Sequence, residues 1–148
     1  MKKIVLLIVF SVIGKFADAQ ILQPVKWSYA AKRINAKEAV IYLKATIDQG
    51  WHIYSQNISD GGPTKTEFKF YPANTYALNG KTTEPKAIVH YDQMFKMNVG
   101  HFEKSVVFQQ KILLKSKGKV TVKGKLGYGV CNDEKCLPPD EVEFNINV

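Results

Sequence analysis

Between Ala39 and Asp48 the chain alternates. Ala39, Ile41, Leu43, Ala45 and Ile47 share one side of an extended strand, and Val40, Tyr42, Lys44, Thr46 and Asp48 share the other. Ten residues at a period of two predict a half-buried strand, because successive side chains of extended backbone point to opposite faces. Gln49-Gly50 ends it, and Trp51-His52-Ile53-Tyr54 opens a second, aromatic-rich extended piece. Further strands are predicted at Pro24–Ile34, Thr66–Tyr71, Lys86–Tyr91, Phe102–Lys115, Lys119–Val130 and Glu141–Val148. In Phe102–Lys115, Val106, Phe108, Ile112 and Leu114 face one way, against Lys111 and Lys115. In Lys119–Val130, the residues Val120, Val122, Leu126, Tyr128 and Val130 are in phase, which leaves Cys131 in the opposite phase.

Turn chemistry separates these runs at Asp60-Gly61-Gly62-Pro63, Asn79-Gly80 and Ser116-Lys117-Gly118. No long apolar stripe at helical spacing is present. Seven to nine short strands punctuated by turns predict an all-β fold, an immunoglobulin-like antiparallel β-sandwich. The Cys…Trp…Cys framework that bridges the two sheets of antibody domains is missing, since both cysteines fall in one local loop.

The first nineteen residues follow another rule. Lys2 and Lys3, the apolar run Ile4 to Ile13 and the Ala17-Asp18-Ala19 site have the three-part form of a secretory signal peptide. An apolar run of about ten residues is half of what a membrane-spanning helix needs. The expectation is a cleaved leader over 1–19 and one β-sandwich domain over 20–148, with no transmembrane segment after cleavage. The length of 148 residues and the 45% hydrophobic content suit one globular domain with its own core.

The formal charge of +8 falls to +6 once Lys2, Lys3, Lys15 and Asp18 leave with the leader. The remaining lysines are scattered over alternating strand positions and form no basic stripe with interleaved aromatics, so no nucleic-acid partner is expected. Export changes the meaning of the cysteines more. In an oxidising compartment two thiols persist as a disulfide unless something reduces them.

Cys131 and Cys136 are the only cysteines, with Asn132-Asp133-Glu134-Lys135 between them. Closing a loop of six residues stabilises a fold by only about 2 kcal/mol. A staple that short does little for a domain of this size, whereas a short local disulfide is readily exchanged. Pro138 and Pro139 stiffen the exit from the loop. The residues therefore suggest an exposed, exchangeable dithiol, with a purely structural disulfide on a secreted binding module as the alternative.

Other chemistries have less to stand on. Zinc would need two more ligands near the thiols, and His52, His90 and His101 fall in unrelated predicted strands. A copper carrier built from Met94, Met97, His90 and His101 is a third reading. No Ser-His-Asp arrangement, phosphate-binding glycine loop or paired carboxylates can be assembled, and no cofactor is expected.

The segment Tyr128-Gly129-Val130-Cys131, four residues, then Cys136-Leu137-Pro138-Pro139 resembles the active-site segment of the N-terminal, exported domain of the transmembrane disulfide reductase DsbD. Asp48-Gln49-Gly50-Trp51-His52-Ile53-Tyr54 is similar to that domain's D-G-aromatic-aromatic-x-Tyr strand, and Asp92–Phe102 stands where its cap loop lies. The resemblance implies an immunoglobulin-like sandwich that shuttles electrons by thiol–disulfide exchange. Its partners would be a thioredoxin-fold or membrane electron donor on one side and oxidised exported proteins on the other, in the periplasm or outside the cell.

By the same resemblance Cys136 would form the mixed disulfide with partners and Cys131 would resolve it. Phe95 matches the cap aromatic, Tyr54 the tyrosine beside the sulfurs, and His52 replaces the aromatic two residues before it. Tyr128 and Asp92 would also line the site, while Gln93 and Met94 stand where the family often has acids. The spacing is one residue tighter than in the best-known members. With Val148 as its last residue the chain has neither a membrane conductor nor a thioredoxin-like domain, so the electron source is expected to act in trans.

Overall fold

The computed structural model describes residues 22–148, so the predicted leader lies outside the described residues. Eleven strands form: β1 (Val25–Arg33), β2 (Glu38–Ile47), β3 (His52–Tyr54), β4 (Glu67–Phe70), β5 (Tyr76–Leu78), β6 (Ile88–Asp92), β7 (Met97–Glu103), β8 (Ser105–Leu114), β9 (Thr121–Tyr128), β10 (Val130–Cys131) and β11 (Asp140–Asn147). They make sheet A in the order β1-β2-β8-β5, sheet B in the order β10-β3-β7-β6 and sheet C in the order β11-β9-β4. Every pairing is antiparallel. The predicted all-β immunoglobulin-like sandwich is the fold that forms.

The inward row of β2 is the one its alternation marks. Ala39, Ile41, Leu43, Ala45 and Ile47 are all buried, and the register sets Leu43 opposite Phe108 and Ala45 opposite Val106 on β8. Sheet C adds Val122, Leu126, Phe144 and Ile146 to the same core, and sheet B adds Ile53, Phe102 and Val130. Phe108 sits at the centre of an aromatic group, with ring centroids 4.9 Å from Phe68, 5.8 Å from Phe102 and 6.0 Å from Trp27. Each such pair adds about 0.5–1.5 kcal/mol beyond its buried area.

Four features depart from the sequence expectation. The run Phe102–Lys115 is two strands, because Lys104 takes a left-handed backbone (φ 61°) and carries the chain from β7 in sheet B to β8 in sheet A. The carbonyl of Lys104 accepts the Ile47 N–H at 2.8 Å, which holds this corner against the end of β2. Lys119–Val130 likewise divides into β9 and β10 at Gly129. A Cβ at Gly129 would stand 2.6 Å from the Thr64 carbonyl oxygen, so only glycine lets the chain pass there. The short strand β5 was not expected, and most of the predicted cap segment Asp92–Phe102 is strand: β7 begins at Met97, which confines the loop to residues 93–96.

Candidate redox site

Cys131 and Cys136 are joined by a disulfide, with Cα atoms 4.0 Å apart in a directly opposed antiparallel pair. The turn between them is held without the sulfurs. The Asn132 side-chain oxygen accepts the N–H groups of Glu134 at 3.0 Å and Lys135 at 2.8 Å, and the Asn132 N–H donates to the Lys135 carbonyl at 2.9 Å. One residue outside the pair, the Leu137 N–H donates to the Val130 carbonyl at 3.0 Å. Asparagine suits this place because its short side chain mimics a backbone turn.

The two sulfurs have unequal surroundings. Cys131 is 4% exposed and packs with Tyr54 and Val99, with Ile58 and Met97 around them, in a small cluster apart from the main core. Cys136 is exposed. Val130 faces the main core, so the opposite phase predicted for Cys131 is what puts it on the outer side of sheet B. Cys136 is thus the more accessible residue of the pair.

Register brings the other site residues to that outer side. His52 on β3 stands opposite Cys131 on β10 and opposite Glu103 on β7, and Tyr54 stands opposite His101. His90 pairs with Val99, and Asp92 with Met97, which adds β6 to the same face. Directly opposed residues of an antiparallel ladder share a side, with Cβ atoms about 4.5–5.5 Å apart. Just past β3, the Glu84 carboxylate accepts the Ser55 hydroxyl, the Gln56 N–H at 2.9 Å and the Asn57 amide at 2.9 Å, which pins the end of the strand that carries His52 and Tyr54.

The tip of the β6–β7 hairpin adjoins this cluster at Tyr54. Asp92 Oδ1 accepts the N–H groups of Met94 at 2.8 Å and Phe95 at 3.2 Å, and Lys96 closes the turn with a positive φ of 53°. Phe95 is half-buried, and its ring meets that of Tyr54 edge to face with centroids 6.5 Å apart. Tyr54 thus meets Phe95 on one hand and packs with Cys131 on the other.

Three histidines share the same face. The Nδ1 atoms of His90 and His101 lie 2.9 Å apart, so one donates and the other accepts. His101 is buried and its Nε2 lies 3.2 Å from Glu103 Oε1. His52 has its ring 5.1 Å from His101 and 6.3 Å from His90, with Nε2 3.2 Å from the Tyr54 hydroxyl. Burial pulls the His52 pKa below the ordinary histidine value, His101 and His90 pull the same way, and Glu103 and Asp133 oppose them. Burial, with help from Asp92, pushes the Tyr54 hydroxyl up to about 12. His52 also lines an open cleft of about 560 Å³ with Asp48, Glu103, Lys104 and Asp133.

Of the residues expected at the site, Cys131, His52, Tyr54, Asp92 and Phe95 come together. Tyr128 does not. It belongs to the main core, donates to Asp140 Oδ2 at 2.9 Å and packs against Trp27 at 5.5 Å, on the Val130 side of the strand. Burial and the Asp140 carboxylate raise its pKa strongly. Of the copper set, His90 and His101 meet, Met94 is exposed at the hairpin tip and Met97 packs beside the Cys131 cluster. Among the described residues no group of three or more His, Cys, Asp or Glu side chains is arranged to hold a metal ion.

Sequence reasoning missed that the three histidines and Glu103 converge. Their shared phase within each strand was readable, but the register that aligns β10, β3, β7 and β6 was not.

The family described as "Thiol:disulfide interchange protein DsbD, N-terminal" matches residues 18–147. Among curated proteins, none matches the chain. Several solved structures share the fold. The reduced N-terminal domain of DsbD from Neisseria meningitidis is 18% identical, with a TM-score of 0.53 over 81% of this chain and 84% of that one. The N-terminal periplasmic domain of ScsB from Proteus mirabilis is 15% identical, with a TM-score of 0.59 over 86% of this chain and 47% of that one. The complex between the DsbD and PilB N-terminal domains of Neisseria meningitidis matches at 18% identity and a TM-score of 0.56, over 85% of this chain and 87% of that one. At these identities the structures speak for the fold, whereas the family match spans nearly the whole sequence, and by it the chain belongs to the DsbD N-terminal family.

Proposed function

We propose that the chain is an exported thiol–disulfide exchange module whose Cys131/Cys136 pair carries two electrons between a thioredoxin-fold or membrane donor and oxidised exported proteins. The observation that carries this reading is the inequality of the two cysteines, one exposed and one buried beside Tyr54, whose ring Phe95 meets. In the reduced form the Cys136 thiolate attacks a partner disulfide, forms the mixed disulfide and releases one partner thiolate. Cys131 then attacks Cys136 Sγ, the intramolecular disulfide re-forms, and the second partner sulfur leaves as a thiolate. Two electrons and two protons pass to the partner, and a reduced donor restores the dithiol by the reverse steps.

Phe95 gates Cys131 in this scheme, and Tyr54 and His52 line the pair. The complex between the DsbD and PilB N-terminal domains is an example of such a fold engaging another protein domain, and the periplasmic ScsB domain agrees with an exported location. Among the described residues no helix is long and apolar enough to cross a membrane.

The test is the reduction potential of the Cys131–Cys136 pair, equilibrated against glutathione or dithiothreitol and trapped by alkylation. A value of roughly −180 to −270 mV belongs to exchange-active pairs. A value below about −300 mV belongs to structural bonds and would leave a stapled binding module. In the first case Cys131→Ala traps partners through Cys136, whereas Cys136→Ala traps none.

A further inference from the structure

Resolution of a mixed disulfide poses a proton problem at Cys131. Its thiol must lose a proton in a buried position, because the thiolate is the nucleophile and burial among apolar groups disfavours it. Cys136 is exposed and can exchange its proton with water directly. Gln93 and Met94 at the β6–β7 tip have no side chain that takes a proton.

Few groups near Cys131 can serve. The Tyr54 hydroxyl packs closest but holds its proton across the physiological range. Asp92 faces the hairpin tip, where Oδ1 takes two backbone N–H groups. Glu103 lies one strand further away and is directed at His101. Asp133 is exposed in the turn and lines the open cleft with His52, outside the buried cluster that holds Cys131. His52 is left: it is the cross-strand neighbour of Cys131, it reaches the open cleft on its other side, and it is bonded to the tyrosine that packs on the sulfur.

We propose that His52 takes the proton from the Cys131 thiol as the intramolecular disulfide closes, and returns it when the bond opens. This rests on the exchange function proposed above. As the Cys131 sulfur attacks Cys136 Sγ, the S–H proton passes to the imidazole, the new S–S bond forms and the partner sulfur leaves with its electron pair. His52 then gives the proton to water in the cleft beside Glu103 and Lys104. Burial, His101 from β7 and His90 from β6 favour the neutral imidazole, Glu103 from β7 and Asp133 from the cysteine turn favour the charged one, and the Tyr54 hydroxyl meets Nε2 from its own strand. Burial and the two neighbouring histidines disfavour the imidazolium, so His52 passes the proton on. This assigns the histidine cluster a purpose that neither a core role nor a metal site supplies.

The test separates the two sulfur steps. Reduced protein is mixed with 5,5′-dithiobis(2-nitrobenzoate) from pH 5 to 9, and release of thionitrobenzoate is followed in time. Cys136 gives the first release, and closure by Cys131 gives the second. In His52→Gln and His52→Phe the first phase stays within about twofold, whereas the second slows about tenfold or more at pH 7, the lower end of what a positioned acid–base group contributes. The second phase also loses its rise through the histidine range and keeps only the thiol's own ionisation.

A second phase with the wild-type pH profile in both variants overturns the role of His52 and leaves the exchange function standing. A wild type that never gives the second release overturns both. An independent measurement on unaltered protein is the proton-NMR titration of His52, whose midpoint differs between the oxidised and reduced forms if it shares a proton with Cys131. An identical midpoint in the two forms counts against the proposal.

Discussion

Truncation of the cap is the perturbation whose size follows most directly from the geometry. In the proposed gate, Phe95 on the β6–β7 tip meets Tyr54 edge to face, at 6.5 Å between centroids. A pair of this kind is worth about 0.5–1.5 kcal/mol. Phe95→Ala removes it, and at about 1 kcal/mol the population with the tip raised grows about fivefold, since 1.4 kcal/mol is tenfold. Cys131 is buried against the same Tyr54 and Cys136 is exposed, so the effect is expected on one sulfur. With the protein held reduced and exposed to iodoacetamide, mass analysis of the two labelled peptides gives separate rates. Cys131 is expected to react about fivefold faster in Phe95→Ala, with Cys136 changed by less than twofold. The acceleration should persist in low urea with little denaturant dependence, the mark of a local opening rather than global unfolding. Equal rates in wild type and variant would refute the gate and leave Phe95 as an ordinary packing residue. Equal acceleration of both sulfurs would mean that the variant merely loosens the whole fold.

Two further outcomes follow from the scaffold. Reduction of Cys131–Cys136 should lower stability by only about 2 kcal/mol, the loop-entropy value for six residues. The reduced protein should keep a single cooperative melt, and a reduced form without one would show that the disulfide is a structural staple. Gly129→Ala puts a methyl group 2.6 Å from the Thr64 carbonyl oxygen, where backbone must move, and should cost about 1–3 kcal/mol in a urea titration. An unchanged midpoint would show that the β9–β10 junction yields freely.

Much of this architecture was legible because one face of each long strand is buried. The inward rows of β2, β8 and β9 are the residues whose alternation marked them. The corner at Lys104 was hidden for a related reason: Phe102, Val106 and Phe108 keep one phase across it, so the alternation reads as a single strand. The one visible sign was Lys104 itself, a charge at an inward position. Gly129 hid the second break in the same way, since Tyr128 and Val130 stay in phase across it and both face the core. The cysteine pair was legible from its spacing alone. The neighbours of Cys131 were not, because antiparallel register over four strands is a long-range property. Tyr128, one strand residue short of the loop, belongs to the wrong side for the same reason that Cys131 belongs to the right one.

Placing the disulfide on the outer side of sheet B decouples redox change from the core. The inter-sheet bond of antibody domains runs through the middle of the sandwich, where breaking it would expose thiols to closely packed side chains. Here Val130 stays in the core whichever form the sulfurs take, because its carbonyl accepts the Leu137 N–H and its strand pairs with β3 through backbone groups. The turn keeps its own hydrogen bonds at Asn132. The two thiols of the reduced form are therefore held where the oxidised form needs them, and closing the bond requires little reorganisation of the chain. A site built so can lose and regain its bond many times without unfolding, which a carrier of electrons requires and a staple does not. The remaining cost of each cycle is the movement of a proton at the buried sulfur, and the histidine across the ladder from Cys131 is the group placed to meet it.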